Sequence, residues 1–166
     1  TFDVVEKYQG IPVQSKSGHS FIKDKMREHN AVYGGEMSAH HYFRDFSYCD
    51  SGMIPWLLVV SVLSETGQSL SSLVEEMITK FPCSGEINFK VADTQITIQK
   101  LFDHFANQNP SIDHTDGVSL DFGAWRFNVR ASNTEPLLRL NIETRLDQHP
   151  KPMQDYVDEL TRLIQN

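Results

Sequence analysis

The sequence has little cysteine: Cys49 and Cys83 are the only two among 166 residues. Two thiols cannot build a disulfide framework or a cysteine-based zinc site, and they make a reducing cytoplasm the expected setting. Long hydrophobic runs are missing too. The longest, Met53 to Val60, contains Pro55 and falls far short of the roughly 20 residues that cross a bilayer. No secretory signal pattern precedes it. Positive charge is in deficit, with 15 Lys and Arg against 22 Asp and Glu for a net charge of −7. The deficit is even: −3 over residues 1–81 (7 basic, 10 acidic) and −4 over residues 82–166 (8 basic, 12 acidic). Neither half offers the basic face that a nucleic acid demands, so neither nucleic acid nor membrane is an expected partner.

What is present describes an ordinary globular protein. Hydrophobic residues make up 39% and charged residues 22%, which separates the chain from disordered sequences. Its length suits two small domains, each with its own core. It opens with Thr1-Phe2-Asp3-Val4-Val5, already inside an apolar-periodic segment, so a piece of a longer protein is expected.

Periodicity divides the chain in two. Residues 1–9 read as a helix stopped by Gly10, and Ile11 to Gln14 as a short strand. A helix begins near His19 with Phe21, Ile22 and Met26 inward; Ala31-Val32-Tyr33 is a strand that runs into Gly34-Gly35, and His40 to Phe43 is another. Residues 53–63 are apolar nearly all round, the pattern of a helix buried against a sheet, with Asp50 or Ser51 as its cap. A further helix carries Leu70, Leu73, Val74, Met77, Ile78 and Phe81. Pro82-Cys83-Ser84-Gly85 then breaks the pattern, placing the boundary between domains 1–81 and 82–166. Beyond it, Ile87, Phe89 and Val91 alternate as a strand, and Asp93 caps a helix with Ile98, Leu101, Phe102 and Phe105. Three more strands follow around Val118–Phe122, Trp125–Arg130 and Leu138–Glu143, then a last helix from Pro150 or Pro152. The order β-α-β-β-β-α predicts a four-stranded antiparallel sheet with both helices on one face and the other face open.

Two polar loops stand out at strand ends. In Arg130-Ala131-Ser132-Asn133-Thr134-Glu135-Pro136, Arg130 supplies a planar fork of donors matched to phosphate oxygens, and Ser132, Asn133 and Thr134 add short donors. Taken alone, such a run is equally an ordinary solvated hairpin turn. In Gly34-Gly35-Glu36-Met37-Ser38-Ala39-His40, Glu36 and Ser38 lie two apart, so an extended backbone would point them the same way toward one sugar ring.

Together these loops resemble the α-D-phosphohexomutases, most closely the phosphomannomutases, over essentially the whole chain. The resemblance implies an α/β plus α+β fold: a partial αβα mixed-sheet domain, the family's third, followed by its fourth, TATA-box-binding-protein-like domain. It implies that Glu36, Ser38 and His19 contact the sugar, and that Arg130, Ser132, Asn133 and Thr134 hold phosphate. Ala39 stands where the family commonly has glycine. The implied parent interconverts mannose 6-phosphate and mannose 1-phosphate using Mg2+ and a hexose 1,6-bisphosphate activator. Its phosphoserine and magnesium loop belong to earlier domains, so this chain is expected to carry no catalytic or metal residue of its own and to be inactive alone. Phosphoglucomutase activity, or a non-catalytic sugar-phosphate-binding module, is the alternative.

Overall fold

The computed structural model describes residues 1–132, 137–145 and 151–165. The chain forms two compact units, Thr1–Gln68 and Ser69–Asn166. Compactness thus divides it ahead of the break in hydrophobic pattern at residues 81 and 82.

The first unit contains helix α1 (Phe2–Lys7), helix α2 (His19–Glu28), strands β1 (Tyr33–Gly35), β2 (His41–Phe43) and β3 (Cys49–Asp50), and helix α3 (Met53–Thr66). On α2, Ile22 and Met26 lie one turn apart and share a face. They bury against Tyr42, with Ala31 and Tyr48 packed at the edge. The strands form a sheet in the order β1-β2-β3, antiparallel throughout rather than mixed, because each strand returns directly beside the one before it. Residues 11–14 form no strand, and Ile11 is exposed. The expected burial of α3 also fails: none of its residues is buried, and Trp56, Leu57 and Leu58 are each more than half exposed. A helix apolar on every side calls for cover on every side, and the three short strands of this unit bury only the α2 face. The N-cap of α3 is Gly52 rather than Asp50 or Ser51, although the Ser51 hydroxyl just before it accepts from the Ile54 N–H at 3.3 Å.

Helix α4 (Leu70–Lys80), capped by Ser69, opens the second unit. Strand β4 (Ile87–Lys90), helix α5 (Thr94–Phe105), strands β5 (Ser111–Asp113), β6 (Val118–Asp121), β7 (Trp125–Ala131) and β8 (Leu137–Thr144), and helix α6 (Met153–Gln165) follow. The sheet is antiparallel in the order β4-β8-β7-β6-β5. It has five strands rather than the four expected, since Ser111–Asp113 is too short to show alternation. Asp93 caps α5 as expected, its Oδ1 accepting from the N–H groups of Gln95 and Ile96 at 2.8 and 3.0 Å.

Alternation along β7 and β8 sorts the two faces of the sheet. Trp125, Phe127, Val129, Leu138, Leu140 and Ile142 point inward, where they join Leu101 and Phe105 of α5 and Tyr156, Leu160 and Ile164 of α6 in one core. Phe105 packs within 5.3–5.7 Å of the rings of Phe122, Trp125 and Phe127. The outer face carries Arg126, Asn128 and Arg130 on β7 opposite Glu143, Asn141 and Arg139 on β8. One face builds the core and the other carries polar and charged side chains.

Candidate functional site

In the first unit the loop after β1 is a tight turn. The Glu36 N–H donates to the His40 carbonyl at 2.9 Å and the Ala39 N–H to the Glu36 carbonyl at 3.1 Å. Ala39 has φ 63°, left-handed backbone that a glycine adopts without the Cβ clash. The extended geometry that would align Glu36 with Ser38 is therefore absent; Ser38 sits exposed on the turn.

Glu36 instead turns toward Tyr42. The Tyr42 hydroxyl donates to Glu36 Oε1 at 2.5 Å, and burial, reinforced by that carboxylate, pushes the phenol's pKa well up, so it stays a donor. His19, the first residue of α2, lies edge-on to Tyr42 with ring centroids 5.3 Å apart and 5.0 Å from the ring of His40. His40 Nδ1–H donates to Asp50 Oδ2 at 2.7 Å, while the His41 N–H donates to Asp50 Oδ1 at 3.0 Å. The fold thus gathers His19, Glu36, His40 and Asp50 around one buried tyrosine. His40 and Asp50 were not singled out as site residues from sequence; only the β2–β3 register brings them together.

The His40 hydrogen bond, then the His41 N–H, hold the Asp50 carboxyl below its ordinary range. A carboxyl whose pKa is lowered by folding stabilises the fold above its unfolded value, about 4, and loses that contribution as pH falls toward the folded value. Acid unfolding of the first unit should therefore begin below about pH 4 and be shallower in Asp50→Asn. Following the Tyr42 and His40 resonances against pH tests this, and coincident profiles for the two proteins would contradict it.

Ligand atoms of His19, His40 and Asp50 lie within 4.8 Å of one another. Two imidazoles and a carboxylate suit a borderline cation such as zinc. The Mg2+ that the family resemblance implies prefers an all-oxygen shell and does not fit this set.

In the second unit Arg130 projects from the outer face of β7. Directly across the ladder from it stands Arg139 of β8, a residue that alternation alone did not single out. Glu86 bridges the two: its Oε2 is 3.3 Å from Arg130 Nη2 and its Oε1 is 3.5 Å from Arg139 Nη1. Asp116 Oδ2 lies 3.9 Å from Arg130 Nη1. Gly117 makes that approach possible. At φ +73° it sits so close that a Cβ there would be 2.4 Å from the Val129 carbonyl oxygen and 2.6 Å from Arg130 Cβ. Ser132 follows β7, its N–H donating to the Leu137 carbonyl at 2.8 Å and its hydroxyl lying 3.4 Å from Arg139 Nη2. Asn133 and Thr134, the other expected phosphate ligands, lie outside the described residues. The Nε of Arg139 is buried without a hydrogen-bond partner among the described residues. Paired guanidiniums beside the Ser132 hydroxyl offer forked donors on both sides, an arrangement that can hold an oxyanion.

A two-unit α/β and α+β chain with an arginine pair on an open antiparallel face is the class that fold and site define. Residues 1–81 match the alpha/beta/alpha domain III of the phosphoglucomutase/phosphomannomutase family, and residues 86–160 match that family's C-terminal domain. The chain belongs to this family, as the C-terminal part of a phosphohexomutase. It is 63% identical over 147 residues to a protein named phosphohexose mutases from Xanthomonas campestris pv. campestris strain B100, covering 89% of this chain and 33% of that one. It is 55% identical over 165 residues to a phosphomannomutase of Vibrio cholerae serotype O1, covering 99% of this chain and 35% of the relative. A crystal structure of a phosphoglucomutase/phosphomannomutase family protein from Burkholderia thailandensis shares the fold, with a TM-score of 0.72 at 24% identity over 97% of this chain and 34% of that one. The chain spans about a third of the length of the curated relatives it matches. No single helix among the described residues is long and apolar enough to cross a membrane.

Proposed function

We propose that this chain is the substrate-holding C-terminal part of a phosphomannomutase that interconverts mannose 6-phosphate and mannose 1-phosphate and so feeds GDP-mannose synthesis in the cytoplasm. The arginine pair at Arg130 and Arg139 carries the reading, because it places two forked cations where a phosphate monoester can lie across β7 and β8. Arg130 and Ser132, with Asn133 and Thr134, hold the phosphate; Glu36, Ser38 and His19 contact the sugar hydroxyls. The several relatives named phosphomannomutase favour mannose, whereas the name of the Xanthomonas relative keeps a phosphoglucomutase reading alive. Mg2+ and the hexose bisphosphate serve the parent through domains preceding this chain, and neither rests on residues here.

Calorimetric titration with mannose 1-phosphate, inorganic phosphate and mannose tests the reading. The sugar phosphate should bind most tightly, on the order of millimolar, phosphate several-fold more weakly, and mannose undetectably, because neutral hydroxyls only exchange one set of hydrogen bonds for another. The chain alone should show no mutase turnover with either hexose phosphate, even with bisphosphate and magnesium added. Mannose binding as tightly as its phosphate, or turnover above a blank, would overturn it.

A further inference from the structure

Glu86 occupies the place a phosphate would take. Its two carboxylate oxygens face different guanidiniums, Arg130 and Arg139, across the β7–β8 ladder. Like charges directly opposite on a sheet repel, so a shared anion between them is expected on physical grounds. Yet the bridge is loose. At 3.3 and 3.5 Å both contacts are longer than the 2.7–2.9 Å typical of charged hydrogen bonds, and Arg139 Nε has no partner among the described residues. A tetrahedral anion with more oxygens can satisfy donors that one carboxylate leaves unmet.

We propose that Glu86 is the exchangeable counter-ion of this site: it seats on Arg130 and Arg139 in the absence of ligand and is displaced when a phosphate monoester binds. The proposal rests on the phosphate-binding reading above and adds to it a resident competitor. Charge favours the exchange. Arg130, Arg139, Glu86 and Asp116 sum to zero, so a phosphate dianion entering the intact cluster gains no net attraction. With Glu86 withdrawn, the two arginines and Asp116 present a net positive charge.

The backbone gives Glu86 room to leave. Cys83 bridges to Glu143 and Ile87 pairs with Leu140, so three residues, Ser84, Gly85 and Glu86, oppose only two on β8. This is a β-bulge, with Gly85 at φ +69°, and bulges re-aim side chains. On its N-terminal side the strap is pinned to β8, the Ser84 N–H donating to the Ile142 carbonyl and the Thr144 N–H to the Pro82 carbonyl, each at 2.9 Å. Phosphate binding is therefore felt in residues 84–86, which lie beyond the first family domain match, ending at residue 81, and lead into the second, beginning at residue 86.

The test is titration of inorganic phosphate into the 166-residue chain at about 0.15 M ionic strength, followed by backbone amide shifts, for the parent, Glu86→Gln, Glu143→Gln and Arg130→Lys. Glu86→Gln should bind phosphate about tenfold more tightly, the effect of removing a competing charge of modest strength. Glu143→Gln removes the same charge from the same face, beside Arg126, and should change affinity by less than about twofold. In the parent, amides 84–86 should shift with the same midpoint as those of β7 and β8 at the arginine pair; in Glu86→Gln their shifts should shrink. Equal or weaker binding by Glu86→Gln, while Arg130→Lys still weakens binding, would show Glu86 to be a fixed positioning residue and would overturn the exchange alone. Phosphate shifts that ignore Arg130→Lys would overturn the phosphate site and the exchange with it.

Discussion

Replacing Phe127 by alanine should unfold the second unit at temperatures the parent tolerates, leaving the first unit folded. Phe127 is fully buried at the middle of β7, between Leu120 on β6 and Ile142 on β8, and packs on Phe105 of α5. Truncating a buried phenylalanine costs about 3–5 kcal/mol through lost transfer energy and the cavity left behind. A small domain holds only about 5–10 kcal/mol in all, so the melting point of this unit should fall by roughly 20 °C. The first unit has a separate core of Ile22, Met26 and Tyr42. Its amide spectrum should persist when that of the second is lost. Ile112 on the edge strand is 41% exposed, and Ile112→Ala should cost less than about 1 kcal/mol. Joint melting of both units in Phe127→Ala would refute their independence.

The second large effect concerns binding. Removing both arginines, in Arg130→Ala with Arg139→Ala, should carry mannose 1-phosphate affinity from about millimolar to beyond detection, a loss of at least about 100-fold. Each charged hydrogen-bonding partner contributes roughly 1.5–3 kcal/mol, and about 1.4 kcal/mol is a factor of ten. Stability should fall little, or even rise. Both side chains lie on the polar outer face, and the double variant removes a like-charge pair along with two long ion pairs to Glu86. Retained phosphate binding would move the site elsewhere, whereas lost folding would mean that the pair is structural.

How much of this was legible in the sequence varies from element to element. The second unit was written plainly, because Trp125, Phe127, Val129, Leu138, Leu140 and Ile142 alternate with polar neighbours and such alternation fixes which face is buried. The polar face was therefore also visible, but the pairing of Arg130 with Arg139 was not, since it depends on the register across the loop between β7 and β8. Glu86 was less visible still. It lies outside any periodic run and reaches the arginines only through an unpaired residue in the ladder.

The first unit was read less well, for a physical reason. Residues 53–63 are so uniformly apolar that burial was the natural inference, yet burial depends on a covering surface, which local sequence does not encode. Residues 11–14 carry a strand's composition, but a strand exists only when a neighbour completes its hydrogen bonds. The loop at residues 34–40 was singled out for its residue types, but not its shape, because Ala39 adopts a left-handed backbone that its identity does not announce. His40 and Asp50, drawn together by the β2–β3 register, were legible in the sequence only as the end of a loop and a candidate helix cap, not as partners.

Arg130 gripping phosphate through its fork, rather than through net charge, is the claim on which the account stands. Its most direct test is a titration of mannose 1-phosphate into isotopically labelled chain, comparing the parent with Arg130→Lys and Arg126→Lys. Arg126 lies on the same face of β7, where its ion partner is Glu143 at 3.5 Å. Both variants keep the charge, and only Arg130→Lys removes a fork from the site. The expected result is shifts centred on residues 130–132 and 137–139, about tenfold weaker binding in Arg130→Lys, and parent-like binding in Arg126→Lys. Equal binding by all three proteins, or shifts confined to other parts of the chain, would contradict it.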